Sequence, residues 1–479
     1  METFMSRYQD DILRDLRQLV AIESVAVPNC PIEGVPFGAK SAEALAFMIR
    51  RANEMGLVTE NCGNYACHAQ LGDHAQLGDH VQLGESSDGS SGDGDYAAVL
   101  CHVDVVPTGD GWQTDPLTLT EKDGYRYGRG VADDKGAAII ALWCLKAMKD
   151  NHVPMKRPVR CVFGGGEEIG MDDMCAYFAK HPLPTFGFTP DADYPACNCE
   201  KGILHLKLSG KTSPEVREMK GGSAINCVAD RCTAVISCDE TAAKKIHSII
   251  NGSDAQCELS PAPDGYAFTV KGVSAHAMCP ENGVNAICSL LCAAASIGLW
   301  EDGSTERFFA EKLCADTTGQ AIGAACSDEM SGDMTVNVGL METSNGQTSL
   351  SVDIRYPATL DSAPIIRQIT EEAAKCGVTV DILNDNKPLY VPEDHPLIQA
   401  LGECYTEVTG QPMKPVAMGG GTYARTLQGR GVAFGPVFSD AKPSNLHMPD
   451  ENLSLKEFML HAEICYRAMC RLAVLDKPE

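Results

Sequence analysis

Residues 99–107, VLCHVDVVP, read as an apolar strand that ends in His102 and Asp104. Alternation along a strand turns side chains two apart to the same face, so an imidazole and a carboxylate emerge together at the strand's C-terminal end. Such a pair suits a metal, because a carboxylate behind a ligating imidazole fixes its tautomer and raises its basicity. Alone, His-x-Asp is ordinary polar surface. It gains weight from the acids and the second histidine that follow.

Residues 127–136, YGRGVADDKG, place Asp133 and Asp134 just before the apolar run 137–145, AAIIALWCL, which has the length and composition of a buried helix. The plain reading makes the two acids helix caps and Gly128 and Gly130 turn glycines, and capping does not preclude metal binding. Residues 159–170, VRCVFGGGEEIG, are a short strand running into three glycines and the adjacent Glu167 and Glu168. Glycine permits close backbone approach and unusual torsions, and adjacent carboxylates can serve as one metal ligand and one general base. Their plain reading is favourable dipole chemistry at the start of a helix over 171–178. Residues 186–193, FGFTPDAD, then offer Asp191 and Asp193, and residues 445–451, NLHMPDE, offer His447. Histidines and carboxylates gathered at the ends of successive strands mark the place where open α/β sheets bind ligands.

On these motifs, together with SAH at 274–276, GGGTYAR at 419–425 and HMPD at 447–450, the chain resembles the M20 family of di-metal aminoacyl peptidases, and within it the bacterial dipeptidases of the PepV/Sapep type. The resemblance implies that Asp133 bridges two ions, with His102 and Asp191 completing one site and Glu168 and His447 the other. Asp104 would orient His102, and a non-proline cis peptide would follow Asp133. Glu167 would be the general base and then the acid, and His276 would stabilise the tetrahedral oxyanion. Substrate would be anchored by Asn226, by Arg355, whose planar fork suits a terminal carboxylate, and by the backbone of Gly419, Gly420 and Gly421.

Oxygen and imidazole donors fit two divalent ions, with Zn²⁺ as the first choice and Mn²⁺ or Co²⁺ as alternatives. Two such ions can share a bridging carboxylate and a hydroxide. The expected function is a metal-dependent dipeptidase that hydrolyses the peptide bond of unblocked dipeptides through a metal-bridging hydroxide activated by Glu167. An M20-type amidohydrolase acting on N-acyl or N-succinyl amino acids is the alternative. A catalytically dead scaffold would have lost a ligand, the base or the oxyanion histidine, and none is missing.

Positioning these groups calls for an α/β fold. The metal motifs fall before about residue 200 and again after about residue 385, so a discontinuous catalytic domain, 1–200 with 385–479, is interrupted by a lid domain, 201–384, that carries Asn226, His276 and Arg355. The catalytic domain is expected to be di-metal aminopeptidase-like, a mixed central sheet flanked by helices. The lid is expected to be α+β, a doubled αβ sandwich. Alternating segments at 202–208, 233–237, 266–270 and 348–354 read as its antiparallel strands, with helices near 241–250 and 282–297. By the same resemblance, a lid doubled within one chain implies a monomer.

Composition sets the remaining bounds. At 479 residues the chain is long enough for two domains. A formal charge of −26 disfavours nucleic acid or an anionic membrane as partner. The sequence lacks an apolar span of about 20 residues and a signal-peptide core, so it reads as a soluble cytoplasmic protein whose partner is its dipeptide substrate. Its 22 cysteines are scattered and form no zinc-finger spacing, which fits reduced thiols; Cys197 and Cys199 are the closest pair. Residues 68–85 repeat a hexapeptide three times, HAQLGD, HAQLGD, HVQLGE. Its His68, His74 and His80, with Asp73 and Asp79, resemble a metal site, but a local duplication extending a surface hairpin explains them better.

Overall fold

The computed structural model describes residues 4–72, 94–438 and 442–477. The chain divides into two compact units, Met1–Asn198 with Val391–Val416 and Thr422–Glu479, and Cys199–Tyr390 with Ala417–Gly421.

The first unit is built on a mixed sheet. Strands β1 (Val58–Cys62), β2 (Ala66–Leu71), β3 (Ala97–His102), β4 (Val159–Gly164) and β5 (Phe186–Thr189) lie in the order β1-β2-β4-β3-β5, and Gly431–Ala433 continues the sheet beyond β5. β3 runs parallel to β4 and β5, and β5 parallel to Gly431–Ala433, whereas β1 and β2 are antiparallel. The pairing of His102 with Gly164 brings β3 and β4 to an end at the same level. Every residue of β3 and β5 is buried, as expected of strands covered on both faces.

Helices α1 (Gln9–Val20), α2 (Ala39–Glu54), α3 (Lys135–Asp150) and α4 (Asp172–Phe178) belong to this unit, as does the C-terminal helix Leu455–Leu472. α3 is buried continuously from Lys135 to Leu145, because its apolar residues recur on every side, and it packs against α1 and Leu455–Leu472. Asp15, wholly buried on α1, accepts hydrogen bonds from Arg51 Nη2 of α2 and Trp143 Nε1 of α3, each at 2.9 Å. One paired carboxylate therefore ties three helices together, and the pairing offsets the cost of burying its charge.

Two local readings of the sequence need correction. Asp134 occupies the N-cap of α3 but makes no capping bond; its Oδ2 accepts the His102 N–H at 3.1 Å. Glu167 and Glu168 do not open the following helix either, for they lie in a separate 3-10 turn, Glu167–Ile169, and α4 begins at Asp172. The hexapeptide repeat starts inside β2, where His68 is buried. Burial, reinforced by the nearby Arg160 cation, pushes His68 down to about 3 and keeps its ring neutral. Asp73, His74, Asp79 and His80 lie outside the described residues.

The second unit carries an eight-stranded, wholly antiparallel sheet. Its strands are β6 (Gly202–Lys211), β7 (Val216–Gly221), β8 (Arg231–Ile236), β9 (Gln256–Ala262), β10 (Gly265–Lys271), β11 (Thr335–Ser344), β12 (Gln347–Tyr356) and β13 (Thr379–Asn386), ordered β9-β10-β8-β7-β11-β12-β6-β13. Two four-stranded halves meet at β7 and β11, which pair over only Lys220 with Glu342 and Gly221 with Met341. Helices α5 (Glu240–Asn251) and α6 (Ala286–Ser296) belong to the first half and α7 (Ser362–Ala374) to the second, giving the doubled α+β arrangement. Alternation decides which face is covered: Leu204, Leu206 and Leu208 of β6 all enter the core. Among the described residues no two cysteines form a disulfide, and no helix is long and apolar enough to cross a membrane.

Candidate metal centre and active site

Parallel strands deliver the first unit's chemistry to one sheet edge. His102 ends β3, the turn after β4 carries Glu167 and Glu168, and the segment after β5 carries Asp191. Asp133 stands ahead of α3 on a loop in which Gly130 adopts φ +88°, a conformation open chiefly to glycine. The peptide bond between Asp133 and Asp134 is cis.

These residues converge with His447 into two groups that share one member. His102, Asp133 and Asp191 offer ligand atoms within 4.8 Å of one another, and so do Asp133, Glu168 and His447. The two oxygens of Asp133 point to different partners: Oδ1 lies 2.9 Å from His102 Nε2, and Oδ2 lies 3.0 Å from His447 Nε2. Glu168 Oε2 is 3.2 Å from His447 Nε2, and Asp191 Oδ2 is 3.9 Å from His102 Nε2. Asp193 belongs to neither group.

Main-chain contacts fix the orientation of these side chains. His102 Nδ1 lies 3.0 Å from the Asp104 carbonyl oxygen and 3.4 Å from Asp104 Oδ1, so its proton belongs on Nδ1 and the Nε2 lone pair faces Asp133. The nearest acceptor is thus the Asp104 backbone rather than its carboxylate. That carboxylate, wholly buried, accepts the N–H groups of Glu167 at 3.2 Å and Glu168 at 3.1 Å. The glycines before this turn are required for space: a Cβ on Gly164 would overlap the Tyr423 hydroxyl and the Asp173 carboxylate, and one on Gly166 would strike the Phe37 ring.

Electrostatically the cluster calls for cations. Burial raises Asp191 and Glu167 well above the ordinary carboxylate range, and neighbouring acids add to the rise. Glu168 is raised by burial and by Asp133. His447 is pushed up to about 11 by its hydrogen bonds to Asp133 and Glu168. So many buried oxygen donors facing two imidazoles repel one another unless positive charge lies between them. Two divalent ions sharing Asp133 meet that need, and the oxygen and imidazole donors match what such ions take.

Two supporting residues escaped the sequence reading. Glu451, wholly buried, accepts Arg129 Nη1 and the Gly130 N–H at 2.9 Å through Oε2, and the N–H groups of Ala132 at 2.9 Å and Asp133 at 3.2 Å through Oε1. It therefore shapes the loop that presents Asp133. Asp173 accepts the Gly166 N–H at 2.9 Å and the Tyr423 hydroxyl through one oxygen. In sequence Glu451 is one more acid in a polar loop and Asp173 one more at a helix start, so no local signal separates them from solvated neighbours.

Asn226, His276, Arg355, Gly419, Gly420 and Gly421 all lie in the second unit, where they adjoin one another. The Ala277 N–H donates to the Asn226 carbonyl at 2.9 Å, and the Met278 N–H donates to His276 Nδ1 at 3.1 Å. The second bond leaves the His276 proton on Nε2, where it can be donated. Arg355, 4 % exposed on β12, donates from Nε and Nη2 to the two oxygens of Asp353 at 2.7 and 2.8 Å, and from Nη1 to the Gly419 carbonyl at 2.9 Å. Thr335, opposite Arg355 on β11, donates to the Ala277 carbonyl at 3.3 Å, linking the two clusters.

Comparison with known proteins gives a consistent picture. The model of peptidase family M20/M25/M40 matches residues 98–471. A Bacillus subtilis (strain 168) protein named "Putative dipeptidase YtjP" is 33% identical over 485 residues, covering 98% of this chain and 99% of that protein. Among solved structures, human carnosine dipeptidase 1 superposes with a TM-score of 0.58 at 14% identity, covering 98% of this chain and 97% of that one. The M20 family metallo-carboxypeptidase Sso-CP2 of Sulfolobus solfataricus also gives 0.58, at 15% identity and with 97% and 99% covered. At these identities the two structures bear on the fold alone.

Proposed function

Because the chain belongs to peptidase family M20/M25/M40 and is therefore a hydrolase, we propose that it is a metal-dependent dipeptidase acting on unblocked dipeptides. The observation that carries this reading is the divided Asp133 carboxylate, one oxygen toward His102 and the other toward His447. Two divalent ions would be held by His102, Asp133 and Asp191 and by Asp133, Glu168 and His447. When bound, they supply Lewis-acid polarisation and lower the pKa of water. Zinc is the first choice, and manganese or cobalt suits the same donors.

The chain's own groups divide the remaining work. Glu167 takes the proton of the attacking water and passes it to the leaving amine. Asp104 holds the Glu167–Glu168 turn and the His102 ring together. His276 donates its Nε2 proton to the developing oxyanion, and Arg355, Asn226 and the Gly419–Gly421 backbone bind the substrate's free carboxylate. The relatives' dipeptidase names support this substrate class. The reading includes a monomer, since one chain holds both halves of the doubled sheet, and a cytoplasmic location, which suits the 22 scattered cysteines.

The test is an assay of metal-reconstituted protein against free dipeptides, C-terminally amidated dipeptides and N-acyl amino acids. Free dipeptides are expected to be the best substrates. Faster turnover of N-acyl or N-succinyl amino acids would replace the dipeptidase reading with that of an amidohydrolase.

A further inference from the structure

A second group of ligand-type side chains lies away from the catalytic cluster. Cys62 ends β1, Glu60 precedes it by two residues, and His68 of β2 is the cross-strand partner of Glu60. Period-two alternation turns all three to one face of the hairpin. His181, just beyond α4, reaches that face: its Nε2 is 3.3 Å from Cys62 Sγ and 3.3 Å from Glu60 Oε1, and the sulfur is 3.8 Å from the same oxygen. His68 offers a ring nitrogen within 4.8 Å of the Cys62 and His181 donors.

We propose that Glu60, Cys62, His68 and His181 form a structural site for a zinc-class divalent cation, separate from the dinuclear centre. Tetrahedral zinc bonds of about 2.3 Å to sulfur and about 2.0–2.2 Å to nitrogen or oxygen place neighbouring donors about 3.3–3.7 Å apart. The His181–Cys62 and His181–Glu60 spacings of 3.3 Å and the Cys62–Glu60 spacing of 3.8 Å lie near that figure, and the His68 nitrogen stands within 4.8 Å of the Cys62 and His181 donors. A thiolate with imidazoles selects zinc-class ions over magnesium or manganese, which distinguishes this donor set from the oxygen-rich catalytic one.

The surroundings support the assignment. Cys62 and His68 are 3 % and 5 % exposed, whereas the Glu60 side chain is 52 % exposed, so the site is shielded yet open to an entering ion. His68 Nδ1 lies 3.1 Å from the Tyr177 hydroxyl, which Arg160 Nη1 meets at 3.0 Å. That contact fixes the ring and leaves Nε2 for the ion, the arrangement usual behind a ligating histidine. Binding replaces the Cys62 S–H bond with a sulfur–metal bond and releases the proton to solvent. The ion would clamp the β1–β2 hairpin to the C-terminal end of α4, the helix whose Asp173 holds Gly166.

The same distances would satisfy a thiol–imidazole hydrogen bond, so the test must detect sulfur bound to metal. Full-length protein loaded with Co²⁺ is expected to show a sulfur-to-cobalt charge-transfer band in the near-ultraviolet, which oxygen and imidazole donors do not give. The band should persist in Asp133→Ala, disappear in Cys62→Ser, and be lost or shifted in His181→Gln. Zinc-loaded Cys62→Ser should hold one ion fewer per chain by mass spectrometry. Circular dichroism establishes that each variant is folded, and His181→Gln, at a partly exposed position, decides the matter if Cys62→Ser does not fold. No band in the wild type, a band surviving Cys62→Ser, a band unchanged in His181→Gln, or its loss in Asp133→Ala would each overturn the site.

Discussion

Asp104 reaches Glu168 through the main chain: its Oδ2 accepts the Glu168 N–H at 3.1 Å, while its Oδ1 takes the neighbouring Glu167 N–H at 3.2 Å and lies 3.4 Å from His102 Nδ1. One buried carboxylate thus bears on the ring of one proposed ligand and on the turn that carries both the proposed base and a second ligand.

Asp104→Asn keeps the shape of that side chain but can accept on one atom only, so one of the two turn amides loses its partner. Removing such an outer partner costs about 10- to 100-fold in metal affinity or activity. Calorimetric metal titration and kcat together check this, and wild-type values in both would confine Asp104 to a packing role.

Glu167→Gln leaves every proposed ligand in place while abolishing proton transfer. It should retain both ions by metal analysis yet lose about 10²- to 10⁴-fold in kcat. An active Gln variant would assign the base elsewhere.

Glu451→Gln strips the partner charge from Arg129, which is only 1 % exposed, and places an amide N–H where the Arg129 or Gly130 donor now points. Breaking one side of a buried pair costs about 3–5 kcal/mol. The midpoint of chemical denaturation should fall accordingly, and because Asp133 sits on the loop that Glu451 holds, metal affinity should fall with it. An unchanged midpoint would mean that the loop is held by other contacts.

Arg355→Ala should weaken a free dipeptide far more than its C-terminal amide, since the amide has already lost the charge that Arg355 would bind. Loss of one partner of a desolvated charged hydrogen bond costs roughly 2–5 kcal/mol, or about 30- to several-thousand-fold in kcat/KM. Equal effects on the two substrates would show that Arg355 chiefly supports Asp353 and Gly419.

His461 supplies a pH test of stability. It is 1 % exposed, its Nδ1 lies 2.8 Å from the Tyr194 hydroxyl, and its Nε2 makes no hydrogen bond among the described residues. Burial pushes it down from 6.5 to about 3. Above pH 6.5 the ring is neutral in both the folded and the unfolded chain; below it, the unfolded chain takes up a proton that the folded protein refuses. Stability should therefore fall as pH drops through that window, by up to about 1.4 kcal/mol per pH unit from this residue. In His461→Gln the dependence of the denaturation midpoint on pH should be shallower there, and parallel curves would show that the ring charges freely in the folded state.

The amino-acid sequence by itself determined the elements and what they could carry. Alternation marked the buried strands, the run 137–145 marked α3, and the ends of successive strands marked where histidines and acids would gather, because each is a local pattern written within about ten residues. Strands such as Thr379–Asn386 escaped notice: Ile382 and Leu383 of that strand, more than half exposed, break the alternation that reveals a covered face. Only the tertiary structure decided which polar residues work together. Glu451 is more than 300 residues from the amides it accepts, His181 stands 119 residues from Cys62, and Tyr423 is 250 residues from Asp173. Nothing in the chain near Glu451 or Asp173 distinguishes it from a solvated acid, since burial and partnership are set by which strands pair and which loops meet. The same holds for His68. Its sequence made it one copy of a surface repeat, and only the register that sets it opposite Glu60 turned it toward Cys62 and His181.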